Sequence, residues 1–196
     1  MHTRHLAALT VVLTTLALTV GPAAVAQDRP DPAAAIAAQA EAMKALQAMN
    51  GVWRGSAWTL LPSGEKRTFT QTERIGPMLQ GTLKVVEGRG YDDQGALAFN
   101  AFGIISFDPA TRAYSLRSYA QGRTGDFALK LSDDGYAWEI AAGPATIRYT
   151  AVLKDGTLRE IGERLMSGRE PLRIFEMSLT RVADSDWPSA GAIGPK

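Results

Sequence analysis

Between Val52 and Val182 apolar and polar positions alternate, in short runs separated by clusters of Gly, Pro, Asn and Asp. Alternation places successive side chains on opposite faces of an extended chain, so the pattern predicts strands joined by tight turns. These strands fall near Val52–Leu61, Lys66–Ile75, Leu79–Gly88, Ala96–Asp108, Ala113–Ala120, Asp126–Leu131, Tyr136–Ala141, Ala145–Leu153, Thr157–Met166 and Leu172–Val182. The intervening segments carry recognisable turn chemistry: Pro62-Ser63-Gly64, Gly76-Pro77, Asp92-Asp93-Gln94-Gly95, Asp108-Pro109, Asp133-Asp134-Gly135, Gly143-Pro144 and Asp155-Gly156. Upstream the period changes. Ala33, Ile36, Ala40, Met43 and Leu46 recur three or four residues apart, with Met49 continuing the series, as on one apolar face of a helix. Asp31-Pro32 supplies an N-cap and a proline at the first helical position, and Asn50-Gly51 an expected C-terminal cap.

A long meander leaves two exposed edges, and closing it into a barrel removes both. The predicted fold is therefore mainly β: a single antiparallel up-and-down barrel of about ten strands, preceded by one N-terminal amphipathic helix. Ala113–Arg117 and Thr146–Thr150 alternate cleanly, whereas Lys66–Ile75 and Thr157–Met166 are polar on both faces. Polar groups on both faces of a barrel strand point to polar side chains inside, and so to a wet, ligand-sized interior.

Outside the barrel the chain divides simply. Residues 1–26 read as a signal peptide: Arg4 makes a basic start, Leu6–Val20 is apolar, and Ala24-Val25-Ala26 is a cleavage pattern before Gln27. Gly21-Pro22 interrupts the apolar run short of the roughly 20 residues that span a bilayer. Export to the periplasm or the outside is expected. Residues 27–50 form a leader and the helix, 51–182 the barrel, and 183–196 a flexible tail rich in Pro, Gly, Ser and Ala, with Trp187 as its anchor on the barrel surface.

Composition narrows the chemistry. The chain has no Cys, and both its histidines, His2 and His5, lie in the leader peptide. From Gln27 onward this excludes a His-ligated haem, a thiolate or imidazole zinc site, a Ser-His-Asp triad and a Cys-His pair. No cofactor and no metal ligand is expected. Without Arg4 the basic and acidic residues balance at 20 each, which recruits neither nucleic acid nor anionic lipid. No later stretch is apolar enough to span a membrane.

Carboxylates remain for acid–base work. Glu73, Glu87, Glu139, Glu160, Glu163 and Glu176 lie on predicted strands, with Arg74, Arg117, Arg148, Arg159, Arg164 and Arg173 as partners. Counting by twos puts Glu73 with Phe69, Gln71 and Ile75, and Glu176 with Leu172 and Ile174. The favoured reading is cross-strand ion pairing on a solvated face; the competing one brings carboxylates into the cavity. Which of Glu73, Arg117, Arg148, Glu160 and Glu176 point inward separates the two. Ser63-Gly64-Glu65-Lys66 fits an S-x-x-K pattern but falls in a hairpin turn, and the Asp-Asp pairs lack the spacing and later Glu of a calcium loop. No catalytic residue is assigned. Expected ligand contacts are the inward groups Phe69, Gln71, Leu83, Phe99, Tyr114, Trp138 and Tyr149.

Leu46-x-x-Met49-x-Gly51-x-Trp53-x-Gly55, at the end of a helix and entering a first strand, resembles the opening of the calycin barrels, relatives of lipocalins and nitrobindins. It resembles still more a bacterial exported family of unknown function built the same way. The resemblance implies a structural pair, in which Trp53 closes one barrel end and Arg181, in Leu179-Thr180-Arg181-Val182, stacks over it. It also shows departures. Nitrobindins carry a longer G-x-W-x-G-x-G opening and a haem-ligating histidine; this chain has Ala57 at the last glycine position and no histidine after residue 5. The disulfide frequent in lipocalins has no cysteines to form it. The expected function is an exported, cofactor-free barrel that binds a small, partly apolar molecule. The alternatives are a small-metabolite isomerase or hydrolase using carboxylate, Arg and Tyr groups, and a cell-envelope interaction module in which the helix docks on a partner.

Overall fold

The computed structural model describes residues 31–185 and Trp187; the expected signal peptide, the leader to Pro30 and the rest of the tail lie outside the described residues. Ten strands close into one antiparallel barrel. They are β1 (Gly51–Leu60), β2 (Lys66–Met78), β3 (Leu83–Tyr91), β4 (Leu97–Asp108), β5 (Ala113–Ala120), β6 (Arg123–Ser132), β7 (Gly135–Ala142), β8 (Ala145–Lys154), β9 (Thr157–Met166) and β10 (Leu172–Ala183). Each pairs with its neighbour in sequence, and β10 returns to pair with β1, which closes the sheet. The meander predicted from alternation is therefore the observed topology.

β6 begins at Arg123, three residues before the expected start, and the β2–β3 boundary and the helix differ further from the sequence expectation. Gly76-Pro77 is not a turn: β2 runs through it to Met78, and Pro77 sits opposite Lys84 near the strand end, where a missing N–H costs little. The reversal falls instead on Leu79-Gln80-Gly81, all three with positive φ, which leaves Leu79 68 % exposed where a strand was expected to begin. The helix also changes character. An α-helix, α1 (Pro32–Met43), capped by Asp31 Oδ1 accepting from the Ala33 N–H at 3.0 Å, tightens into a 3-10 helix over Lys44–Met49. Residues three apart eclipse on a 3-10 helix. Met43, Leu46 and Met49 therefore align and enter the barrel core at 3–5 % exposure, while Ile36 stays half exposed. Only the second half of the predicted apolar face is buried.

This helical segment plugs the barrel end at which β1 begins and β10 finishes. The Tyr114 hydroxyl donates to the Ala42 carbonyl at 2.7 Å and Gln39 Nε2 to the Phe107 carbonyl at 3.2 Å, which fasten the plug to β4 and β5. Trp53, 1 % exposed, packs beneath it and donates from Nε1 to the Met49 carbonyl at 2.9 Å. Arg181 stands opposite Trp53 in the β1–β10 register. Its guanidinium is engaged with the Asn50 carbonyl, at 3.2 Å from both Nε and Nη2, and with Asp184 at 2.6 Å, so it braces the helix-to-strand joint.

On the outer wall, Trp187 lies against Gly76, places its ring 4.5 Å from the Arg74 guanidinium, and meets Phe102 at 6.1 Å. Trp187 thus docks on the barrel surface. Among the described residues no helix is long and apolar enough to cross a membrane.

Candidate functional site

The barrel interior is organised in two layers, and the register explains why. On β2 the inward residues, counted away from the plugged end, are Ile75, Glu73, Gln71 and Phe69. On β7 they are Tyr136 and Trp138, on β8 Ala151 and Tyr149, on β9 Leu158 and Glu160, and on β10 Leu179, Met177 and Phe175. Glu73, Gln71, Tyr136 and Glu160 thus form a polar group in the interior, and above it, toward the open end, stands an aromatic layer.

The aromatic layer is a continuous row across four strands. Trp138 and Tyr149 stack at 4.4 Å with their planes 11° apart; Phe127 meets Trp138 at 5.1 Å, and Phe175 meets Tyr149 edge-on at 6.0 Å. Phe69 and Phe99 converge from the opposite wall on Gly90, whose missing side chain leaves room for them and for Gln71. Although they face inward, Phe69, Phe127, Trp138 and Tyr149 are only part-buried. Inward rings that stay partly exposed are reached by solvent.

In the polar layer, Gln71 Nε2 donates to Glu73 Oε1 at 2.8 Å, while Gln71 Oε1 is buried without a hydrogen-bond partner. Gly88 lies opposite Glu73, and a Cβ there would come within 2.7 Å of Glu73 Oε1, so glycine is what admits this carboxylate. Burial is the main force on both carboxyls. It pushes Glu73 up to about 8, against the partial relief of Gln71 and with added repulsion from Glu160 and Glu87. It pushes Glu160 up to about 7, offset by hydrogen bonds from Tyr136 and the Trp138 indole. The same burial, with the nearby carboxylates, raises the Tyr136 phenol well above its ordinary value and Tyr149 to about 12. These groups form one coupled set. Lys84, also inward and 2 % exposed, lies nearer the plug, hydrogen-bonded to Asn50 Oδ1, and burial lowers it to about 8.

Of the expected ligand contacts, Phe69, Gln71, Phe99, Trp138 and Tyr149 face this chamber. Tyr114 points inward but toward the plug, its hydroxyl held by Ala42. Leu83 falls on the outward parity of β3, because Lys84, Val86 and Gly88 take the inner positions against Ile105, Gly103 and Ala101. Ion pairing on the outside holds for Glu87 with Arg89 at 2.5 Å, Glu139 with Arg148 at 2.7 Å, and Glu176 with Arg159 at 2.6 Å and Arg173 at 3.3 Å. Arg117 likewise faces out, to Asp126. Glu73 and Glu160 face inward instead. For Glu160 the signal was its parity with Leu158 and Gly162 on a strand polar on both faces.

The wall is thinnest between β6 and β7, where the ladder comprises only Lys130–Ala137, Leu131–Tyr136 and Ser132–Gly135 before the strands part. A cavity of about 390 Å³ lies at this seam, lined by Ala128, Lys130, Ala137, Trp138, Glu139 and Arg148. Trp138 belongs to both the seam and the interior row. A smaller cavity of about 100 Å³ sits under the 3-10 helix, beside Tyr136, Ala151 and Leu158.

The site thus defined belongs to a closed ten-stranded barrel with a plugged base, an acidic floor and an aromatic upper chamber. The fold is similar to that in the crystal structure of Rv2717c from M. tuberculosis, at a TM-score of 0.55 and 11 % identity, over 72 % of this chain and 97 % of that one. At that identity the likeness establishes the fold alone. No protein-family profile matches the chain, and no curated protein sequence does.

Proposed function

We propose that this protein is an exported, calycin-like barrel that binds a small, partly apolar molecule in the upper chamber, without a cofactor. The observation that carries the reading is the partly exposed aromatic row, Phe127–Trp138–Tyr149–Phe175, standing over hydrogen-bonding groups on the floor. Pockets that hold small ligands combine predominantly apolar walls with a few convergent polar groups in this way. Export rests on the basic, apolar and Ala-x-Ala segments of residues 1–26. The calycin relation rests on the Gly51-x-Trp53 opening with Arg181 opposite. Native mass spectrometry of protein purified from its own compartment tests both parts. A chain beginning at Gln27 with a copurifying molecule is expected. A chain retaining residues 1–26 overturns export. No copurifying molecule, together with no quenching of tryptophan fluorescence by N-phenyl-1-naphthylamine, overturns binding.

An enzymatic reading is favoured by one observation: Glu73 and Glu160 titrate near about 8 and about 7, where an acid and a base at neutral pH are most effective. Conversion of the copurifying molecule by the protein, lost in Glu73→Gln or Glu160→Gln while binding persists, would establish it; binding without conversion leaves a carrier. The partner-docking role of the helix is disfavoured because Met43, Leu46 and Met49 are spent on the barrel's own core.

A further inference from the structure

Glu73 and Glu160 enter the barrel from β2 and β9, two strands separated by β1 and β10; both act on the Tyr136 phenol, and Glu160 adds to the rise at Glu73. Among the described residues no lysine or arginine acts on either carboxyl; their neighbours are Gln71, Tyr136, Trp138 and, through the wall, Glu87. This contrasts with Glu87, Glu139 and Glu176, each joined to an arginine on the outside. A buried carboxyl, Glu73, and a half-buried one, Glu160, with no cation are costly unless neutralised by protons or by something that enters the chamber. A second observation concerns hydrogen bonds. Gln71 is 3 % exposed and its Oε1 has no partner. On the floor, five side-chain oxygens from Glu73, Glu160 and Gln71 face the donors of Gln71, Tyr136 and Trp138, so deprotonated carboxylates leave acceptors in excess. What the floor lacks is positive charge and N–H donors.

We propose that the floor formed by Glu73, Glu160 and Gln71 is the head-group site for a primary organic amine, whose apolar portion lies along Trp138 and Tyr149. The inference deepens the small-molecule reading and rests on it. An ammonium supplies the missing charge and three donors, two of which reach the carboxylates and one Gln71 Oε1. The stacked rings above give a face that accepts both an alkyl chain and the edge of a cation. An anionic head group would meet two carboxyls and an unpaired carbonyl oxygen, and is rejected. In the empty barrel burial keeps protons on the carboxyls near neutral pH; an arriving ammonium favours their ionised forms, so binding expels protons to solvent.

Titration calorimetry of the full chain with hexylamine, hexanol and hexanoate, at pH 7 in two buffers of different ionisation enthalpy, tests this. Hexylamine is expected to bind at least about tenfold more tightly than hexanol and to release protons. In the Glu73→Gln/Glu160→Gln double variant the amine preference and the proton release are expected to vanish while hexanol binding remains. Each single variant, read the same way, stands in if the double variant fails to fold. Equal binding of hexanol or hexanoate overturns the amine assignment and leaves the small-molecule reading intact. Calcium or magnesium binding that the double variant abolishes, with no amine preference, overturns it in favour of a metal. Failure of all three probes and of N-phenyl-1-naphthylamine overturns the small-molecule reading as well.

Discussion

Trp53 and Arg181 face each other across the β1–β10 ladder and hold two consecutive carbonyls, those of Met49 and Asn50. The end of the helical plug is thereby tied to the first and last strands at one point. Barrel closure and plug seating become a single event. Gly51 lies between them: a Cβ there would stand 2.7 Å from Arg181 Nε and 3.3 Å from Trp53 Nε1.

Trp53→Phe removes the buried donor and leaves the Met49 carbonyl without it, an expected loss of about 1 to 3 kcal/mol. Arg181→Ala, at a partly exposed site, is expected to lose about 1 kcal/mol. Because both act on one joint, the double variant should lose less than the sum; urea melts of the four proteins measure this. Strict additivity would show that the two carbonyls are held independently.

Gly88→Ala places a methyl against Glu73 Oε1. Overpacking of a closed interior costs about 1 to 3 kcal/mol. Adding Glu73→Ala removes the obstructing carboxylate, and thermal melts should show part of the loss recovered. Gly88→Ala with wild-type stability would mean that Glu73 moves freely, and that the floor is not pre-formed.

Stability should fall as pH rises from about 4.5 to about 8. Glu73 and Glu160 ordinarily titrate near 4.5 in the unfolded chain but at about 8 and about 7 when folded, so the folded state holds more protons throughout that window. Their contribution is complete below 4.5 and is lost as pH passes 7 and then 8. Lys84, lowered to about 8, acts in the opposite sense only above that pH. Denaturant midpoints at pH 5, 6.5 and 8 measure the slope. Glu73→Gln should flatten it and raise the midpoint at pH 8 above that of the wild type.

The tail contact makes a separate claim. A Cβ at Gly76 would lie 2.5 Å from Ser185 Oγ and 2.8 Å from Trp187 Cβ, so Gly76→Ala should detach the tail. Gly76→Ala and Trp187→Ala are expected to lower the melting temperature by similar amounts, and their combination by little more than either. Additive losses would indicate that Gly76 matters for the strand alone.

How much of this was legible in the sequence follows from the range of each force. Alternation, turn residues and the capped helix are local, and they determined the meander, the presence of the helix and most strand limits; that the helix plugs the barrel is decided by its packing into the core. They misled at Gly76-Pro77, a turn signal overridden because pairing with Lys84 and Val85 continues the ladder past it. Parity within a strand also placed Phe69, Gln71 and Glu73 on one face, and Glu176 with Leu172 and Ile174.

What parity could not decide is which face turns inward, since that depends on closure. Glu176 and Glu160 look alike as strand glutamates with an arginine within three residues, Arg173 and Arg159. Only the register across β8, β9 and β10 puts one beside Arg159 outside and the other between Ala151 and Met177 inside. The same register turned Leu83 outward and made Lys84 an interior residue. The sequence by itself determined a helix followed by an antiparallel barrel, with no cysteine and no histidine after residue 5, because periodicity and composition are properties of single segments. The tertiary structure alone decided that two uncompensated carboxyls share its floor, because burial and charge proximity arise only when strands ninety residues apart in sequence enclose the same space.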